Sequence, residues 1–370
     1  MNKKNIGIAL SGGGIRAMVF HLGFFKWLAK QSLFEQVRLV SSVSGASLCI
    51  GMIYAHNNLE WPTSEQYLTK VLPSIEKALL YDLQLSAIRK LIISPRFWNK
   101  KVNIIAKALE QKWGVHGKLS SLTGDPKWHI NCTTFETGKR FVFSRERMGD
   151  YSIGHVEKPS IPLSEVMAAS SGFPIFIGPY VLEPREYSWT PPEHLGKNGM
   201  LSSCKRLHLW DGGVYDNFGL ESVFKPDNCG TLTEGINYII VSNASPSIGL
   251  QFRRIGPSLK NTKRLLDISM DQVAALRSRS VMDYIKRTGQ GMYIKIGNCA
   301  KKISKASKCS DELKMQLINC CLPHDQVNRA VEYSTTLRKP SKANYQMLLR
   351  HGYEVADCTY QCYQKQDLEE

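Results

Sequence analysis

Residues 6–23 read IGIALSGGGIRAMVFHLG, and the three consecutive glycines between an apolar run and a helical run decide how the chain begins to fold. Ile6 to Leu10 predicts a short buried strand and Ala17 to Lys30 a helix, so Gly12, Gly13 and Gly14 form the sharp turn that joins them. Such a turn aims free backbone N–H groups at the mouth of a helix N-terminus, where they suit an anion. The anion is either the pyrophosphate of a cofactor or an oxyanion that exists only during acyl transfer. A merely tight strand-to-helix turn would need neither.

Outward from this stretch, RLVSSVSGASLCIGMIYA (residues 38–55) repeats the pattern, with a buried strand over Leu39 to Val43 and a helix from Gly45. Strand, helix, strand, helix opens a mainly parallel α/β sheet. Residues 64–118 are helix-like, broken by Pro73 and Pro95, and read as a helical insertion. Within it, residues 89–118 carry eight basic side chains and one acidic one. Trp98, Val102, Ile105, Leu109 and Trp113 share one helical face there, opposite Lys100, Lys107 and Gln111. That stripe either packs on the core or touches lipid headgroups as a basic amphipathic helix.

Strands return in KWHINCTTFETGKRFVFS (residues 127–144), with a hairpin tip at Thr137 and Gly138. A helix, LSEVMAASSGFPIF, an irregular loop from Pro184 to Gly199, the strand-and-turn KRLHLWDGGVYDNFGL and the buried strand INYIIVSNAS follow. From Arg253 to Glu370 the sequence is mainly helical, with its longest helix at Lys263 to Arg287. The expected organisation is a catalytic α/β domain over residues 1–250 with 64–118 inserted, and a helical part, 251–370, packed on the same domain.

Composition narrows the partners. The 370 residues, 43% hydrophobic and 22% charged, are those of an ordinary globular protein. The start MNKKNIGIAL fits neither a secretory signal nor a membrane span, so a soluble, cytoplasmic protein is expected. The ten cysteines are scattered, none in a CxxC pair, and read as reduced core residues; no metal site is expected. A formal charge of +16 favours a polyanionic partner: a nucleic acid, an anionic membrane face or a phosphate-bearing ligand. No helix-turn-helix, zinc-finger or RNP signature accompanies the charge, so no stable nucleic-acid complex is expected, although a non-catalytic anion-binding protein is an alternative.

Gly12 to Ala17 satisfies G-x-G-x-x-A, a dinucleotide fingerprint. That site also needs a carboxylate at the end of the second strand, where the chain has Ser42-Val43-Ser44-Gly45; Glu35 comes before the strand. A serine between small residues after a strand is instead the arrangement of a nucleophile elbow, with Ser44 the nucleophile candidate and Gly45 opening the helix. A serine hydroxyl needs a base. Asp211 closes the strand Leu207 to Trp210 and is followed by Gly212 and Gly213, a turn that leaves a carboxylate at the same sheet edge. None of the nine histidines stands in a strand-end glycine turn, and a Ser-His-Asp triad is the alternative to a Ser44–Asp211 dyad.

GGGIR at 12–16, SVSGA at 42–46 and DGG at 211–213, in this order, resemble the patatin-like phospholipase family, whose pattern is G-G-G-x-R, G-x-S-x-G and D-G-G/A. MAASSGFPIFIGP (residues 167–179) resembles the family's A-A-S-x-A-x-P segment, and the likeness spans roughly residues 5–245. Ser42 and Ala46 depart from the glycines of the elbow. The resemblance implies a three-layer α/β/α fold and a serine acyl hydrolase of phospholipase A type without metal or cofactor. Ser44 would be the nucleophile, Asp211 the base, Gly12, Gly13 and Gly14 the oxyanion hole, and Arg16 a support for the loop or for a substrate phosphate. It further implies membrane glycerophospholipid as substrate and a peripheral place at the inner membrane face. A likeness to antiphage effector phospholipases implies a cyclic nucleotide activator; a constitutive esterase is the alternative, and a homo-oligomer is left open.

Overall fold

The computed structural model describes residues 4–83, 101–172, 178–192, 204–226, 230–246, 248–249 and 258–363. Its first strand, β1 (Ile6–Leu10), is buried at every position, as a strand covered on both faces must be. The glycine turn leads into α1 (Gly14–Lys30), then β2 (Val37–Val43) and α2 (Gly45–Ala55). The helical insertion includes α3 (Leu72–Ala78) and α4 (Lys101–Trp113); residues 84–100, and with them Trp98 and much of the basic run, lie outside the described residues. Val102, Ile105, Leu109 and Trp113 are all buried, so the apolar stripe of α4 is core and not a lipid-facing surface.

Next come β3 (Lys127–Thr134), β4 (Arg140–Phe143), β5 (Arg147–Asp150) and β6 (Gly154–Glu157), an antiparallel meander whose first hairpin turns at Gly138, φ 65°. Helix α5 (Leu163–Ser170), strands β7 (Tyr180–Leu182) and β8 (Leu207–Asp211) and the short α6 (Gly213–Asp216) follow. A small ribbon, β9 (Phe224–Lys225) with β10 (Thr231–Leu232), precedes β11 (Tyr238–Asn243). The C-terminal part holds α7 (Leu259–Thr288), β12 (Gly291–Lys295), α8 (Ala300–Ala306), α9 (Asp311–Cys320), α10 (His324–Glu332) and α11 (Lys342–Tyr363).

The main sheet runs β12-β11-β1-β2-β3-β4-β5-β6, parallel from β12 to β3. Alternation along the strands separates two apolar layers. Ile6, Ile8 and Leu10 face α1, α2 and α11, whereas Ala9, Leu39, Ile239 and Val241 face Val281 and Tyr284 of α7. The result is a three-layer α/β/α architecture with a helical C-terminal extension. Helix α11 crosses α1 at glycine contacts: a Cβ on Gly23 would collide with the Leu349 carbonyl, and one on Gly352 with that of Phe20. No helix among the described residues is long and apolar enough to cross a membrane.

One irregularity of the sheet builds the site. Strand β2 ends at Val43 beside Asn131, but β3 continues to Thr134. Antiparallel β8 fills the vacant side, pairing Cys132 with Asp211 and Thr134 with Leu209. The last residue of β8 therefore arrives where β2 stops, one residue before Ser44.

Candidate active site

Ser44 sits between β2 and α2 with φ 54° and ψ −122°, a left-handed backbone that a non-glycine residue adopts only where the surroundings hold it. The holding contacts are polar. The Ser44 N–H donates to Ser170 Oγ at 3.0 Å, and Ser170 Oγ donates to the Asn131 carbonyl at 2.8 Å and lies 2.9 Å from Ser47 Oγ. Ser42, where the elbow pattern has glycine, is buried and accepts from Trp128 Nε1 at 2.9 Å, with Ser47 Oγ also 2.9 Å away. A Cβ on Gly45 would collide with the Gly14 carbonyl, so the starts of α1 and α2 abut. Two helix N-termini thus meet beside one hydroxyl, and both favour negative charge there.

The glycine turn lies against Ser44. A Cβ on Gly12 would stand 2.9 Å from Ser44 Cβ, and Gly13 and Gly14 have φ of 141° and 60°. The Gly12 N–H is already engaged by Asn217, through its carbonyl at 3.1 Å and its Oδ1 at 3.2 Å. The N–H groups of Gly13 and Gly14 have no partner among the described residues. Arg16 is buried, and its guanidinium donates to the carbonyls of Ala244 (3.3 Å), Tyr333 (2.8 Å) and Val331 (3.5 Å). Burial draws its pKa down to about 10. Of the two roles the resemblance implies for Arg16, these contacts match support of the loop.

Asp211 is buried at the end of β8. Its Oδ1 accepts from the Gly213 N–H at 2.8 Å, and the Ser44 hydroxyl is near enough to pull the carboxyl's pKa down. Burial raises its pKa to about 6, although the Gly213 N–H and the Ser44 hydroxyl pull the other way. A carboxylate at that value is better matched to taking a proton near neutrality than an ordinary aspartate. Thr133 Oγ1 donates to the Asp211 carbonyl at 3.0 Å and fixes the strand end. On the open side, Met270 of α7 reaches the turn, its Cε 3.2 Å from where a Gly213 Cβ would be.

Among the described residues no histidine bonds Ser44 or Asp211. His21 is locked between Ser242 Oγ (3.0 Å) and the Ser11 carbonyl (2.9 Å), its pKa lowered to about 4 by burial, and His208 faces Glu136 at 2.6 Å. Glu35, the acidic residue a dinucleotide would need, is bonded to the N–H and hydroxyl of Ser64 at 2.7 and 2.8 Å. No group of three or more His, Cys, Asp or Glu side chains among the described residues is placed to hold a metal ion.

A family model for patatin-like phospholipase matches residues 8–224, more than half of the chain, and that span contains the glycine turn, Ser44 and Asp211. The chain belongs to the patatin-like phospholipase family. Among solved structures, human GIVD cytosolic phospholipase A2 is similar in fold: 15% identity, TM-score 0.58, covering 99% of this chain and 60% of that one. Its complex with methyl gamma-linolenyl fluorophosphonate and terbium chloride gives 14% identity, TM-score 0.50, and coverages of 99% and 59%. The patatin-like chain thus spans about three-fifths of the human enzyme's length. No curated protein matches it by sequence.

Sequence reasoning named the residues that meet here but missed those that hold them. Ser170 stands inside the MAASSGFPIFIGP stretch, of which residues 173–177 lie outside the described residues, and Asn217 closes the DGGVYDN turn. A hydroxyl or amide in a motif's tail was the available signal.

Proposed function

We propose that the chain hydrolyses ester bonds of membrane glycerophospholipids through a Ser44–Asp211 dyad. The observation that carries this reading is the placement of a buried carboxylate, Asp211, next to the elbow serine Ser44, beside two converging helix N-termini. Ser44 Oγ attacks the acyl carbonyl carbon while its proton passes to Asp211. The tetrahedral oxyanion takes the unengaged N–H groups of Gly13 and Gly14, with Gly12 tied to Asn217 as the anchor of the turn. Collapse breaks the ester C–O bond, and the proton on Asp211 leaves with the alcohol. Water then attacks the acyl-enzyme, gives its proton to Asp211, and the second collapse releases the fatty acid and returns the proton to Ser44.

The proposal includes control by a cyclic nucleotide. What supports control is a strap, residues 333–338, laid over the glycine turn: the Ile15 N–H donates to the Thr336 carbonyl at 2.9 Å, and Arg16 holds Tyr333. A cleft of about 630 Å³ beside the strap is lined by Arg329, Arg338 and Lys339, by the polar side chains of Tyr333, Ser334, Thr336 and Asn344, and by one carboxylate, Glu332; the three cations outnumber it and suit phosphates.

The test is fatty-acid release from mixed phospholipid vesicles by wild type, Ser44→Ala and Asp211→Ala, with and without cyclic di- and trinucleotides. Loss of release in both variants supports the dyad, and dependence on one nucleotide supports control. Equal release by all three proteins would overturn the dyad; full release without nucleotide, and no nucleotide bound, would leave a constitutive hydrolase.

A further inference from the structure

Helix α7 is too long for the sheet it covers. Its 30 residues extend about 45 Å, against about 17 Å for the five residues of β12 that follow it. Because β12 runs parallel to β11 and hence to β1, α7 runs the opposite way, and its N-terminal end points past the edge where Ser44 and Asp211 lie. The contacts along it mark the level. Val281 and Tyr284 pack on the sheet, Arg277 Nε is 3.5 Å from Asp216 Oδ1, and Met270 reaches Gly213. Residues before Met270 therefore stand beyond the catalytic edge, and no described residue from 260 to 280 is fully buried.

The outward face of this overhang is not that of a solvated strut. Leu265, Ile268 and Leu276, spaced at three and eight residues, are 66%, 40% and 61% exposed, in line with exposed Gln272 and Arg279. The helix carries seven basic residues against three acidic ones, and Lys260, Lys263 and Arg264 crowd its leading end. Apolar side chains beside a cationic end suit a surface with anionic headgroups over hydrocarbon.

We infer that the outward face of α7 from Lys260 to Arg279 is the docking element that seats the enzyme on an anionic phospholipid bilayer, with the Ser44 mouth against the headgroups. This rests on the hydrolase reading for its purpose but not for its test. The partner is a bilayer because the helix combines an exposed apolar row with a net positive charge concentrated at its leading end, and overhangs the edge at which a lipid must enter.

The full chain is compared with Leu265→Ser/Ile268→Ser/Leu276→Ser and with Lys260→Glu/Arg279→Glu. Sedimentation with 7:3 phosphatidylcholine–phosphatidylglycerol vesicles is measured beside hydrolysis of a water-soluble short-chain ester. The triple variant is expected to bind vesicles at least tenfold more weakly, with ester kcat/KM within twofold of wild type, which also reports its fold. The charge variant is expected to lose most of the preference for anionic over pure phosphatidylcholine vesicles. Vesicle binding by the triple variant equal to wild type overturns the inference. So does a wild-type dimer that the triple variant dissociates without change in vesicle binding, since the face then belongs to a second copy. A wild type that binds vesicles through α7 and cleaves no ester supports docking and overturns the hydrolase reading instead.

Discussion

Helices α1 and α7 both begin at the C-terminal edge of the same sheet, and they are opposites. In α1, fifteen of seventeen residues are buried and two glycine contacts weld it to its neighbours. The leading half of α7 touches the body along one side only. A helix that aims backbone N–H groups at a reacting atom must not move, whereas one that meets a deformable partner gains from projecting. The contrast separates a part that fixes geometry from a part whose exposed side chains can be changed without disturbing the core.

Substitution should expose that contrast most strongly in stability. Gly23→Val would drive a branched side chain into the Leu349 carbonyl and is expected to cost about 3–5 kcal/mol or abolish cooperative unfolding. Gln272→Ala on exposed α7 should stay within about 0.5 kcal/mol. Thermal melts of the two compare the helices directly, and equal losses would break the comparison.

Next in size is Gly45→Ala, whose methyl meets the Gly14 carbonyl where α1 and α2 abut. Forcing the two helix starts apart is expected to lower the melting temperature, and displacing an oxyanion donor to lower the kcat/KM of the folded protein by roughly 100- to 1,000-fold. An unchanged rate would mean that the abutment is not needed for chemistry.

A smaller effect follows from Asp211, raised from the ordinary 3.8 to about 6 by burial. Only its ionised form accepts the Ser44 proton, so kcat/KM should fall about tenfold per pH unit below 6. The folded chain then holds a proton that the unfolded chain gives up between these values, so stability falls as pH rises through the window. Asp211→Asn should accordingly be inactive yet more stable than wild type at pH 8, by on the order of 1–3 kcal/mol, with no gain at pH 3. Paired denaturation curves at the two pH values check the sign.

The parts of the fold written as local pattern were legible in the sequence. The apolar runs at β1, β2 and β11 and the glycine turns at 12–14 and 212–213 mark a parallel sheet and its busy edge without any distant contact. Less legible was β12, where GMYIK is a five-residue run within a helical stretch and becomes a strand only because β11 offers an open edge. The stripe of α4 was ambiguous for a similar reason, since periodicity marks an apolar face but not what covers it. The capture of the Gly12 N–H by Asn217, 205 residues away, depends wholly on tertiary placement.

The measurement that tests the central claim most directly is covalent trapping with a long-chain alkyl fluorophosphonate, followed by peptide mass analysis of wild type and Asp211→Asn. The account predicts a single phosphonyl adduct on Ser44, formed far more slowly in the variant. A label on another residue, or the same rate in both proteins, would contradict it.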